Sequence, residues 1–153
     1  KTENTPTSFV RNVLSESECP VIIPPLDFEP IEEIILTCSE TRSSVFAIRQ
    51  FRYLFPQLND KKVTVVEVER DLSHPESVNP NFRQWIKDHY PAALFVVLKG
   101  NTNEVLEEYL SSKRNAIIVV SACTRNILSQ AFVPSLIDSL IGKIHQPFFI
   151  AHN

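Results

Sequence analysis

"VVSACTRNILSQAFVPSLIDSLIGKIHQPFFIAH", residues 119–152, is the stretch on which the fold turns. An apolar, strand-like run ends at Val120. A polar, basic loop follows. Val133, Leu136, Ile137, Leu140, Ile141 and Ile144 then recur at helical spacing, one apolar stripe on one face. Pro147 ends that helix, because it lacks the N–H that a further turn needs. "PFFIA" (147–151) closes the stretch as a strand. Strand, loop, helix, strand is the repeating unit of a parallel α/β sheet. In such sheets ligands sit at the carboxyl end of a strand, opposite a helix N-terminus. The loop has no glycine, so it reads as a phosphate site, a modified one, or a former one.

The pattern extends back along the chain. "EEIILTC" (32–38) reads as a buried strand. Ala47, Ile48, Phe51, Leu54 and Phe55 make a helical stripe over 43–56, stopped at Pro56. "KKVTVVEVE" (61–69) is a β-branched strand whose charges predict a less buried position. A polar loop with Pro75 and Pro80 precedes the short helix "NFRQWIKDHY" (81–90), which Pro91 closes. "AALFVVLKG" (92–100) is a continuous apolar strand of the kind covered on both faces. "NEVLEEYLSSK" (103–113) is the next helix, with Asn101 and Glu104 at capping-box spacing. "AIIVVSA" (116–122) is a further buried strand. Five strands alternating with four helices predict a parallel, doubly wound α/β domain, an open five-stranded sheet with helices on both faces.

The first 25 residues lie outside that count, and an internal repeat accounts for them. "SFVRNVLSESECPVII" (8–23) aligns at a constant offset with "SLIDSLIGKIHQPFFI" (135–150). Ser8 matches Ser135 and Pro20 matches Pro147. Phe9, Val10, Val13 and Leu14 match Leu136, Ile137, Leu140 and Ile141. Val21, Ile22 and Ile23 match Phe148, Phe149 and Ile150. Residues 1–25 thus read as an extra helix-strand unit, the end of a preceding homologous domain. The Pro-rich "PPLDFEP" (24–30) marks a linker, set at residues 26–31, and 32–153 form the α/β domain.

Composition narrows the functional classes. The 153 residues carry a net charge of -3, with no polybasic block, so bulk nucleic-acid binding is not expected. No apolar run is long enough to span a membrane and no signal-peptide pattern occurs, so a cytoplasmic protein without membrane attachment is the expectation. Cys19, Cys38 and Cys123 are far apart and in no metal-ligand spacing, and Cys38 and Cys123, at the ends of apolar runs, read as small core residues. The chain starts at Lys1 and contains no methionine, as expected of a piece of a longer chain. Two glycines, Gly100 and Gly142, against eleven prolines exclude a P-loop and a GxGxxG fingerprint.

"EEIILTCSETRSSVFAIRQF" (32–51), the stretch 119–152 and the N-terminal repeat together resemble the universal stress protein family, specifically its tandem two-domain form. The resemblance implies a five-stranded parallel sheet of Rossmann-like type. Nucleotide-binding members carry a Gly-xx-Gly-x9-Gly-Ser/Thr pattern after the fourth strand. Laid over this chain, its glycines fall at Ser121, Thr124 and Pro134, and its hydroxyl at Ser135, which is retained. The acidic position after the first strand falls at Ser39. Glycine in a phosphate loop lets backbone N–H groups approach the anion, and Pro134 removes a donor at the helix start. Side chains of Thr124, Arg125 and Ser135 remain able to hold an anion. The candidate binding residues are therefore Ser39, Ser121, Thr124, Arg125 and Ser135.

A hydrolase needs a nucleophile, a base and an orienting group. Ser39 and Ser121 end adjacent strands, but His74, His89, His145 and His152 have no evident place beside them, and His89 and His145 read as caps on helix carbonyls. Phe82 and Trp85 read as packing against the sheet. Phe148 and Phe149 point to opposite sides of their strand, one to the core and the other to an interface. Family members pair the closing strand with its equivalent. The resemblance thus implies a homodimer, or pairing with the preceding domain, through Val21–Pro24 and Phe148–Ala151. The expectation is a non-catalytic stress-response domain that acts by association, is not an enzyme and takes no cofactor in the familiar mode. The alternatives are an ATP- or AMP-binding protein with an altered loop and weak hydrolase activity, and a sensor of a small anion or metabolite at the switch point between the first and fourth strands.

Overall fold

The computed structural model describes residues 12–14, 17–27, 29–37, 42–69, 79–122 and 145–152. Within them the chain forms β1 (Val21–Ile23), β2 (Glu33–Thr37), α1 (Arg42–Leu54), a 3-10 turn (Pro56–Leu58), β3 (Lys62–Glu69), α2 (Pro80–His89), β4 (Leu94–Lys99), α3 (Thr102–Ser111), β5 (Ala116–Ala122) and β6 (Phe148–His152). One sheet holds all six strands in the order β1-β6-β5-β2-β3-β4. Five of them run parallel, and β1 joins β6 antiparallel, with Val21, Ile22 and Ile23 opposite Ile150, Phe149 and Phe148. The α/β class and the open parallel sheet follow the expected order. The N-terminal strand adds itself as a sixth, and residues 12–14 before it are helical. The helix expected over 133–144 lies outside the described residues.

Local chemistry sets the helix boundaries. Asn79 caps α2 by accepting from the Asn81 N–H at 3.0 Å, and Pro80 occupies the first turn, where its missing N–H costs nothing. Asn101 caps α3 by accepting from the N–H groups of Asn103 and Glu104 at 3.1 and 3.4 Å. Gly100 precedes it at φ +132°, and a Cβ there would meet Val105 Cγ1 at 3.1 Å. Only glycine takes that conformation without strain. The chain thereby turns from β4 into α3 with no spare residue.

Two apolar layers form, one on each face of the sheet. Helices α1 and α2 bring Ala47, Ile48, Phe51, Phe82 and Ile86 onto Ile34, Leu36, Val65 and Val119. Helix α3 brings Leu106 and Leu110 onto Ile35, Ile118 and Val120, and Leu14 joins the same layer. Phe148 and Phe149 take opposite layers, and both are buried. The expectation that one of them faces an interface is therefore corrected. The sheet has six strands here, and the β1 side chains Val21 and Ile23 cover the Phe148 layer. Phe149 packs edge-on against Phe51 at 5.2 Å and 73°, and against Phe55 at 5.9 Å and 89°.

Two burial expectations also reverse. Strand β3, with its charges, lies inside the sheet, and Val63, Thr64, Val65 and Val66 are buried. Its charges are tolerated because each meets an opposite one: Lys62 with Glu33, Glu67 with Arg83, and Glu69 with Lys99. Strand β4, almost wholly apolar, lies at the edge, where Leu94 is 52% and Val97 44% exposed. Strand order, which composition does not encode, decides both. In α1 the stripe runs through buried Ser44, Ala47, Ile48 and Phe51, while Leu54 is exposed.

At the amino ends of the strands, Glu33 is buried among partners. Its Oε1 accepts from Thr64 Oγ1 at 2.6 Å and pairs with Lys62 at 3.0 Å, and its Oε2 lies 3.6 Å from Lys113. Desolvation alone would raise its pKa. The Thr64 and Lys62 hydrogen bonds and the two lysine charges outweigh it and hold the carboxyl below its ordinary value. A pKa depressed in the folded state gives stability that is present in full above the ordinary value of 4.5 and is lost as pH falls through the native value. Glu33→Gln is accordingly expected to lower the unfolding free energy measured in urea at neutral pH by about 1.5–3 kcal/mol, the range for a hydrogen bond to a charged group. The gap to the parent chain should narrow as pH falls below the ordinary value of 4.5 and through the lower native one; a gap that stays constant with pH contradicts the assignment. Phe149→Ala, at the junction of three rings, is expected to cost about 3–5 kcal/mol in the same assay.

Candidate functional site

The sheet order reverses at β2. From β2 the chain winds outward through β3 and β4, then returns to β5 on the other side. The crevice of this fold therefore lies at the carboxyl ends of β2 and β5, where connections leave in opposite directions. Thr37 ends β2 in register with Val120, and its Oγ1 donates to the Val119 carbonyl oxygen at 3.1 Å. One residue further along β5, the Ser121 hydroxyl lies 3.0 Å from the Ser44 hydroxyl on the first turns of α1. Two short polar side chains thus tie helix to strand at the mouth of the crevice. Ser44 is buried, so this contact is sheltered from competing water. The first turn of α1 carries Arg42 and no acidic side chain.

Of the five candidate binding residues, Ser121 is placed at this crevice, with its hydroxyl engaged by α1. Ser39, Thr124, Arg125 and Ser135 lie outside the described residues, as do Cys38 and Cys123. The histidines separate. His89 Nδ1 lies 2.8 Å from the Trp85 carbonyl oxygen at the end of α2 and leans on the Trp85 ring, centroids 4.5 Å apart. His145 is exposed beside the amino end of β6. The backbone of His152 falls in register with Ala122, one step beyond the Ser121 and Ala151 pair. Register of the last strand was the missing signal, because a residue's height in a sheet depends on where its strand begins to pair. The hydroxyl contact of Ser44 with Ser121 joins residues 77 apart and could not be read from the sequence. Phe82 and Trp85 stack on each other at 6.3 Å and 21°, Phe82 buried, in the apolar layer under α2.

Among the described residues no group of three or more His, Cys, Asp or Glu side chains is arranged to hold a metal ion. No helix among them is long and apolar enough to cross a membrane.

Against solved structures, the chain superposes on universal stress protein UspA from Lactobacillus plantarum with a TM-score of 0.59 at 13% identity, over 81% of this chain and 99% of that one. It matches a universal stress protein solved in complex with cAMP at 0.57 and 12%, over 81% of this chain and 99% of that one. The fold is that of the universal stress proteins. A universal stress protein from Archaeoglobus fulgidus matches at 0.57 and 13%, covering 94% of this chain and 53% of its own, so the chain spans about half of that protein. No protein-family model and no curated protein matches the sequence.

The Ser44–Ser121 contact yields a direct test. In a double-mutant cycle with Ser44→Ala and Ser121→Ala, each single change is expected to cost about 0.5–1.5 kcal/mol. The two effects should fall short of additive, because they remove one shared bond. Full additivity would show that the hydroxyls do not depend on each other.

Proposed function

We propose that the chain is a non-catalytic, universal-stress-protein-like domain that acts in a stress response through association, with its nucleotide grip lost. The observation that carries this reading is the fate of position 121. In the family pattern it is a glycine, present so that the phosphate can approach bare backbone. Here it is a serine whose hydroxyl is spent on Ser44, 3.0 Å away, holding α1 against β5. A Cβ stands where the family pattern leaves the backbone bare, and the polar atom it carries faces Ser44. Thr124 and Pro134 change the other two glycine positions in the sequence, and Pro134 offers no N–H to a ligand. The match to half of the longer A. fulgidus protein supports the reading of one unit within a tandem chain. The repeat between residues 8–23 and 135–150 supports it independently.

A second reading has a specific observation in its favour. One structural neighbour was solved with cAMP, an adenine nucleotide. In that reading the altered loop still binds ATP or AMP, with Arg125 and the hydroxyls of Thr124 and Ser135 replacing the missing backbone donors. Calorimetric titration with ATP and AMP, with and without magnesium, separates the two. The proposal expects no saturable binding below millimolar nucleotide. Micromolar binding that Arg125→Ala abolishes overturns it in favour of the second reading.

A further inference from the structure

Strand β4 ends the sheet, and among the described residues no other strand pairs with its outer edge. Its two faces differ in chemistry. Phe95, Val97 and Lys99 alternate onto the α2 side, where Arg83 lies 4.6 Å and Lys87 5.7 Å from the Phe95 ring centroid. Lys99 extends the same row, with its side chain 65% exposed, and Arg83 is 43% exposed. The carboxylates that balance them, Glu67 and Glu69, are only 14% exposed on the inner strand β3. Positive charge therefore stands outermost along this side of the edge. On the α3 side stand Leu94, half exposed, Val96 and Leu98.

The backbone is equally polarised. Gly100 donates its N–H to the Glu69 carbonyl oxygen, one step beyond the Glu69 and Lys99 pair. In a parallel ladder alternate residues turn their N–H and C=O to the neighbour. The N–H groups of Phe95, Val97 and Lys99 thus face outward. An unpaired edge of this length and hydrophobicity, without proline and with a terminal lysine for protection, is a template for another strand.

We infer that the β4 edge receives an extended peptide segment of a partner protein, one that alternates acidic and apolar residues. Its carboxylates lie along Arg83, Lys87 and Lys99, and its apolar side chains lie along Leu94 and Leu98. Main-chain hydrogen bonds to Phe95, Val97 and Lys99 set its register. A second copy of β4 fits less well, since antiparallel self-pairing brings Lys99 of one chain to the end of the strand where Lys87 of the other is anchored on the Ala93 carbonyl oxygen. This edge lies across the whole sheet from β1, so its test does not depend on the nucleotide titration and does not decide it.

The probe is a short capped peptide alternating glutamate and valine, with a lysine–valine peptide as control. Calorimetry is expected to show saturable binding of the first alone, weakening with added salt. Amide NMR shifts should concentrate on β4. Val97→Pro removes an outward N–H without touching the ladder to β3, a position where an edge strand accepts proline. It is expected to abolish binding while leaving the circular dichroism spectrum unchanged. Lys99→Glu should weaken binding by roughly five-fold or more, and it carries the test if Val97→Pro does not fold. Equal binding of both peptides, binding that survives both variants, or no peptide binding together with self-association that Lys99→Glu leaves intact would overturn the inference.

Discussion

Everything in this molecule depends on the double pairing of β2. Its residues Glu33 to Leu36 are buried, with β3 on one edge, β5 on the other and an apolar layer on each face. Such a strand has no access to water, so each of its backbone polar groups must find a partner in a neighbour. Neither β3 nor β5 can therefore be displaced without stranding donors and acceptors in the core. The connection into β5 shows the same constraint locally. Asn115, at φ +53°, aims its carbonyl oxygen at the N–H groups of Glu32 and Glu33, at 2.7 and 3.2 Å. The start of β2 is thereby stitched to the start of β5 before the ladder begins.

Much of the fold was legible because the chain punctuates itself with proline and because helical and strand periods differ sharply. The stops at Pro56 and Pro91 and the cap at Asn101 are local events between neighbours in sequence, and they appear where residue chemistry puts them. What sequence does not carry is order across the sheet. A run such as "LFVVLK" buries well anywhere, and the chain places it at the edge because the crossover returns to the other side of β2. The charged run of β3 reads as peripheral until Glu33, Arg83 and Lys99 are brought alongside from distant segments. Long-range partners decide the burial of a charge, and they are invisible in a window of ten residues.

The candidate site divides in the same way. The place of the crevice was readable, because a strand, a polar loop and a helical stripe in that order define it. Serine at position 121, where the resembled family pattern has glycine, was readable in the sequence. Its consequence, a hydroxyl turned inward onto Ser44, needed the packing of α1 against β5. The height of His152 beside Ala122 likewise needed the register of a strand that pairs on both sides.

The cluster around Glu33 lies at the pole opposite the crevice. Thr64, Lys62 and Lys113 close on it from β3 and from the turn after α3, so β2 is fastened electrostatically at its amino end, while β3 carries further ion pairs at its other end. That separation gives the carboxyl pole room to drift. None of the described contacts of Glu33 involves the carboxyl ends of β2 and β5, so a change of side chain there leaves this fastening in place. Evolvability in this chain is thus a matter of polarity along β2: ions hold its amino end, and at its carboxyl end the Thr37 hydroxyl holds the Val119 carbonyl oxygen.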